Sequence, residues 1–479
     1  MKKYYLPLYA MLFSAVLCFT GCNDFLDVSP DERMEIDNLD KVYQTVTGAY
    51  QNKYGFRFTH MSSDDVTAVK GVNRTQETIE DLYTWNRDFR NQTHQDAPAS
   101  YWTITYSSIA NINHALEAMD KLKILPEESA KAEVIRGEAL IVRSYCHFML
   151  VNLFAKHFDK STASTDPGIP YVVKPEDRLV VHYKRASVEE VYRLAEEDLQ
   201  EGIRLLEKHP KLFNPSKYHF TFPTVYLYAS RFYTFRNQDK KDVELAIRYA
   251  NKAIQQFGGL LVMRSWTEYG KDQEGPVDVT QGEVGLVQVS ATMVNYAFIY
   301  QLTDGIKDTE LKNPFKQNDL RLKGKYLTSG NIFTPMYFFV PEKENTLYSA
   351  YDLFPMSEAL LNAAEGYARE KDFDQALEML HALGKKVYYN YNSSKVSRAA
   401  IQKAYPDDTE QESMIRYILF ERRVQFLMKG MRWFDIKRYN LDVEHLLQDG
   451  TTIRLSEIAP NKDYQIPGYA IEAGLEPNK

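Results

Sequence analysis

Residues 421–439 read ERRVQFLMKGMRWFDIKRY, two short runs of charged and apolar residues divided by one glycine. Gly430 can end a helix in the left-handed turn that residues with a Cβ avoid. Beyond it Arg432, Asp435 and Arg438 recur every third residue, the spacing at which opposite charges meet on one helical face. Trp433 falls on the other side, where tryptophan is more often core than ligand contact. The pattern predicts helix, turn at Gly430 and second helix, joined by ion pairs as a structural device.

Helical periodicity of this kind extends through most of the chain. YWTITYSSIANINHALEAMDKL, EESAKAEVIRGEALIVRSYCHFMLVNLFAKHF, SVEEVYRLAEEDLQEGIRLLEK and VELAIRYANKAIQQF all space apolar residues three and four apart. Ser187 followed by Glu190 has capping-box spacing, and Pro355 stands where a first-turn proline is tolerated. Ala364, Tyr367, Ala376, Leu380 and Leu383 follow the small-and-large pattern of a tetratricopeptide helical hairpin, with Lys371 where that repeat usually has glycine. A looser copy runs from Ala229 and Phe232 to Ala246, Ala250 and Ala253. From about 258 to 348 the periodicity lapses into Gly, Thr, Asn, Tyr and short apolar runs such as VGLVQVS. Long connections of that kind fold over a scaffold and carry function. The expected fold is mainly α, a tetratricopeptide-like helical-repeat scaffold with an irregular, loop-rich, ligand-facing half.

At the other end, Lys2 and Lys3 precede an apolar run from Leu6 to Phe19 that is too short for a membrane span, which reads as a secretory signal over residues 1–21. Thr20-Gly21 before Cys22 resembles a bacterial lipobox, in which the cysteine is lipidated and becomes the first residue of a mature chain, here 22–479. Of three cysteines, Cys18 then leaves, Cys22 is acylated and Cys146 remains alone, which rules out an internal disulfide. With a net charge of -7 the chain lacks the basic face of a nucleic-acid binder. It holds no further long apolar segment, so a membrane is met through the anchor alone.

Four segments, taken in order behind the lipobox, resemble the SusD/RagB family of surface nutrient-binding lipoproteins. They are Trp102, Tyr106, Ile109 and Asn113 in the first long helical run; ALIVRSYCHFMLVNLFAKHF with GIPYV; RASVEEVYRLAEEDL; and Glu421, Arg422, Arg423, Gly430, Arg432, Trp433, Asp435 and Arg438 in the opening stretch. Gln425 and Lys429 stand where the family signature has glutamates. The resemblance implies an outward-facing lipoprotein of the outer membrane that captures an oligomeric nutrient, a glycan above all, and delivers it to a SusC-like TonB-dependent transporter. A peptide-binding lid of the same family, a tetratricopeptide-type protein-interaction scaffold and, third, a cell-surface hydrolase are the alternative readings.

No nucleophile elbow, zinc-binding helix, phosphate loop or cysteine pair occurs, so neither catalysis, metal nor cofactor is expected. His147 and His157 read as satisfied or surface residues, and the acid pairs Asp64-Asp65 and Asp407-Asp408 as solvated loops. Binding asks for aromatic faces and directional polar groups. The candidates for ligand contact are Asp65, Tyr83, Trp85, Asn86, Arg87 and Arg90, followed by Trp266, Tyr269 and Tyr296 in the irregular middle.

Overall fold

A computed structural model describes residues 36–50, 56–68, 77–176, 181–216, 218–257, 349–427 and 429–479. Five short pieces at 287–290, 300–302, 319, 326–329 and 332–335 are described as well. Cys22 and the signal segment fall outside these residues, as do Trp266, Tyr269 and Tyr296.

The first half is built on α1 (Leu39–Gly48), α2 (Glu77–Tyr83), α3 (Pro98–Lys121), α4 (Ser129–Phe154) and α5 (Val188–Lys208). Helix α4 is apolar on most faces and is accordingly buried from Gly137 to Phe154, with α3 and α5 packed on it. It holds the one described cysteine, Cys146, as a small buried hydrophobe, and burial pushes that thiol up to about 12. Close approach of α4 and α5 depends on facing glycines. A Cβ on Gly202 would stand 2.9 Å from the Gly137 carbonyl oxygen and 2.8 Å from Ile141. Ser187 caps α5, its hydroxyl accepting from the Glu190 N–H at 3.2 Å. The reciprocal half of the expected box is not made, because Arg193 draws the Glu190 carboxylate to itself at 2.6 and 2.8 Å.

Two helical hairpins follow. In the first, α6 (Phe222–Arg236) and α7 (Lys240–Gln256) are joined by Asn237 in a left-handed turn and by Asp239 as the α7 cap. The second pairs α8 (Met356–Arg369) with α9 (Phe373–Val387). Here Lys371 takes the left-handed conformation expected of the repeat's glycine, at φ 62°. Helix α8 packs on α7 as well as on α9, so the two hairpins stack as a tetratricopeptide-like layer. The scaffold ends in α10 (Arg398–Ala404), α11 (Glu410–Gln425), α12 (Met431–Arg438), α13 (Leu455–Ile458) and α14 (Gly468–Glu472).

Strands are few and short. The pairs are β1 (Val66–Ala68) with β3 (Tyr300–Leu302), β2 (Val287–Ser290) with β6 (Ser349–Asp352), β4 (Tyr326–Ser329) with β5 (Ile332–Pro335), and β7 (Glu444–Leu446) with β8 (Thr452–Arg454), all antiparallel. β1 and β3 pair in the register Val66↔Leu302, Thr67↔Gln301 and Ala68↔Tyr300. That ladder, with a bridge between Asp319 and Tyr388, ties the described pieces 300–302 and 319 to the rest of the body. Among the described residues no helix is long and apolar enough to cross a membrane.

Candidate functional site

The opening stretch forms the hairpin from α11 to α12, turning at Gly430 with φ 79°. Its inward face is ionic. Arg422 lies 3.1–3.2 Å from both Asp435 oxygens and donates to Asn362 Oδ1 at 2.8 Å. Arg438 donates to Asp435 at 2.8 Å and to the two Glu365 oxygens at 2.8 and 2.9 Å. Arg369 and the Tyr439 hydroxyl also donate to Glu365. Burial works to raise the Glu365 carboxyl, but Arg438 and Arg369 outweigh it and hold the group well below the usual carboxylate range. Trp433 packs against Tyr464 inside the core. Lys437, next in the same helix, donates to the carbonyls of Asn152 and Ala155, where a cation complements the C-terminus of α4. Burial lowers its ammonium to about 7.

The expected pairing of Arg432 with Asp435 is replaced by a longer link. Arg432 grips Asp64 through two bonds of 2.8 Å, and Arg423 donates to Asp65 at 2.8 Å and to the Asp64 carbonyl at 2.7 Å. Asp64 and Asp65 are thus not the solvated pair that their sequence suggests, since two guanidiniums draw them in. Burial raises the Asp65 carboxyl to about 6 against the opposing Arg423. At Asp64 burial acts the same way, but Arg432 and Arg423 win and the carboxyl is held low. These carboxylates occupy the turn between a 3-10 helix, Phe56–Ser62, and β1. The signature therefore positions the ladder from which the irregular segment departs.

The aromatic candidates beside it lie inside. Tyr83 and Trp85, 1% and 5% exposed, clasp the His445 ring from its two faces at 4.1 and 4.3 Å. Tyr83 Oη donates to the Leu446 carbonyl at 2.8 Å, and Trp85 Nε1 donates to the Ser62 carbonyl at 2.9 Å. The ring nitrogens of His445 lie 2.7 Å from the Tyr83 carbonyl and 2.8 Å from that of Ser63, while burial lowers its pKa. Both rings are thus packing in this structure, with no face open for stacking. Asn86 closes its own turn through Asp81 and Asp88. Arg90 is bound to Asp81 and Glu80, and Arg87 to Asp463 and the Lys479 carbonyl. Asp65, Tyr83, Trp85, Asn86, Arg87 and Arg90 are gathered into one neighbourhood as structural partners. His445 and Tyr464 complete that neighbourhood from the far end of the chain, through contacts across more than 360 residues that no local pattern announces. His147 is a satisfied core residue. Its Nδ1 lies 3.0 Å from the Arg143 carbonyl, its Nε2 accepts from the Val172 N–H, and burial lowers it to about 3.

A helical-repeat body with a polar-stitched signature hairpin and short ladders holding an irregular segment defines a class of binding scaffold. A family model described as starch-binding and associating with the outer membrane matches residues 24–234, and the model of the SusD family matches residues 337–470. The chain belongs to the SusD/RagB family. Solved structures share the fold. A SusD superfamily protein of Bacteroides thetaiotaomicron VPI-5482 aligns with TM-score 0.70 at 17% identity, over 92% of this chain and 100% of its own. A SusD-like carbohydrate binding protein of Bacteroides vulgatus ATCC 8482 aligns with TM-score 0.67 at 16% identity, over 91% and 96%. A SusD superfamily protein of the same strain gives TM-score 0.66 at 18% identity, over 92% and 99%. Among curated proteins nothing matches the chain.

Proposed function

We propose that this chain is a cell-surface lipoprotein, acylated at Cys22 after loss of residues 1–21. It binds an oligomeric nutrient, a glycan first of all, and delivers it to a SusC-like TonB-dependent transporter of the outer membrane. The role is capture without catalysis. The observation that carries this reading is the match of residues 24–234 to a family described as starch-binding and outer-membrane-associated, joined to a second SusD match in the C-terminal half. The ligand face belongs to the segment 258–348, with Trp266, Tyr269 and Tyr296 as its stacking residues and the ladder of β1 and β3 as its root.

One observation favours the peptide-binding alternative. Of four tryptophans, Trp85, Trp102 and Trp433 are consumed by the core, which leaves Trp266 to stack on a sugar ring. The test is affinity electrophoresis and calorimetry of a soluble form starting after Cys22, against plant and host polysaccharides and a peptide digest, with sugar release assayed in parallel. Binding to one glycan class without release, weakened in Trp266→Phe, is expected. Peptide binding with silence toward every glycan overturns the glycan reading. Labelled palmitate should enter the full-length chain in cells and be lost in Cys22→Ala.

A further inference from the structure

A groove of about 800 Å³ lies between the connection from α4 to α5 and the last residues, 461–479. Lys156, Asp166, Tyr183 and Arg185 line one side and Asp463 and Asn461 the other, a set that shares no residue with the proposed ligand face. Its volume falls within the range of ligand sites, about 300–1,000 Å³.

The polar chemistry of the groove narrows what it takes. Of its cations, Lys156 is engaged with Asp166 at 2.9 Å, and Arg185 with the carbonyls of Gly168, Pro167 and Glu476 and with Asn478 Oδ1, at 2.7–3.0 Å, while Lys184 and Lys479 line it exposed. Four committed donors leave that guanidinium little to offer an anion. Asp463 is buried and differently placed. Its Oδ1 accepts from Arg87 at 3.3 Å, while Oδ2 takes no hydrogen bond from another described residue. An acceptor of this kind suits a hydroxyl donor, because a charge-assisted bond is about twice as strong as a neutral one. Pro167, Leu475 and Pro477 add apolar wall on which the C–H face of a sugar ring can rest. An apolar ligand would leave the carboxylate unanswered.

We infer that this groove is a second binding site for a hydroxyl-rich oligosaccharide, with Asp463 as the acceptor of sugar hydroxyls. The inference rests on the glycan-binding reading, since it assigns a further site for the same class of ligand. Arg87, placed by sequence among the ligand contacts, acts here from behind as the brace of Asp463.

Hydrogen exchange of the soluble chain with and without malto-, cello- and manno-oligosaccharides tests it, alongside calorimetry of Asp463→Asn and Ala186→Trp. Asp463→Asn removes the charged acceptor, and Ala186→Trp adds bulk at a lining position. Protection of 156–187 and 461–479 by one of these sugars is expected. So is loss of that protection in both variants, with affinity for the sugar at this site weakened roughly tenfold or more. Should Asp463→Asn fail to fold, Ala186→Trp and the protection map decide. Sugar binding with protection confined to other segments and both variants equal to the parent overturns the groove and leaves the glycan reading intact. Absence of binding to all these sugars, and to every polysaccharide in the broader screen, overturns both. Protection of the groove by a peptide digest but by no sugar overturns the ligand class.

Discussion

Asp435→Asn probes the ionic face of the signature hairpin with little change of shape. Asp435 is shared by two guanidiniums, Arg422 and Arg438, and Arg422 has no exposed surface. Arg438 keeps Glu365 after the substitution, but Arg422 is left with a buried charge and the amide oxygen of Asn362. Removing one partner of a buried pair costs about 3–5 kcal/mol, because the survivor has been taken out of water without compensation. Set against a total stability of about 5–15 kcal/mol, that is a large fraction of what holds the fold. Urea unfolding followed by tryptophan fluorescence reads it directly, since Trp433 sits two residues away in the same buried helix. The midpoint should fall with the slope unchanged. Arg398→Ala, which breaks exposed contacts to Glu410 and Asp374, should barely move it. An Asp435→Asn midpoint within about 1 kcal/mol of the parent, the size of an ordinary substitution, would refute the account of the signature as an obligatory charge network.

Three further outcomes are expected. Lys437→Met removes a group whose folded value, about 7, lies below its unfolded value of 10.5. Between those values the unfolded chain binds more protons, so parent stability should rise with pH relative to the variant across that window, as denaturation at stepped pH will show. Gly202→Ala drives a methyl toward the Gly137 carbonyl at 2.9 Å, and a lowered melting temperature is expected where α4 and α5 must part by a few tenths of an ångström. Cys146 should resist a maleimide in the folded protein and react fully in denaturant, since its thiol is both buried and raised to about 12.

Much of the scaffold is legible because its determinants are local. Gly430, the spacing of Asp435 and Arg438 and the small residues of α8 and α9 each act within a turn or a hairpin, and the structure uses them as the spacing suggests. Even Lys371 does what the repeat asks of a glycine. What sequence reasoning missed is long-range. Asp64 and Asp65 look solvated until Arg423 and Arg432 arrive from the other end, and Arg432 is thereby withdrawn from its near neighbour. Tyr83 and Trp85 look like a sugar platform until His445 slides between them. An aromatic-rich loop has the same composition whether it faces solvent or a partner hundreds of residues away.

The bond from Thr59 Oγ1 to the Gly430 carbonyl, with those from Arg423 and Arg432 to the Asp64-Asp65 turn, spans some 360–370 residues. A chain made from its N-terminus forward offers that turn long before its partners exist. Residues 56–68 must wait, their carboxylates hydrated and their apolar neighbours uncovered, until almost nine-tenths of the sequence has emerged. The helical hairpins, whose contacts are local, can form in the meantime. The closing of this turn onto the signature, and with it the contacts of Ser62 and Ser63 with Tyr464 and His445, therefore belongs to the late part of folding. Completion of the ladder between β1 and β3 thus depends on nearly the whole chain being present.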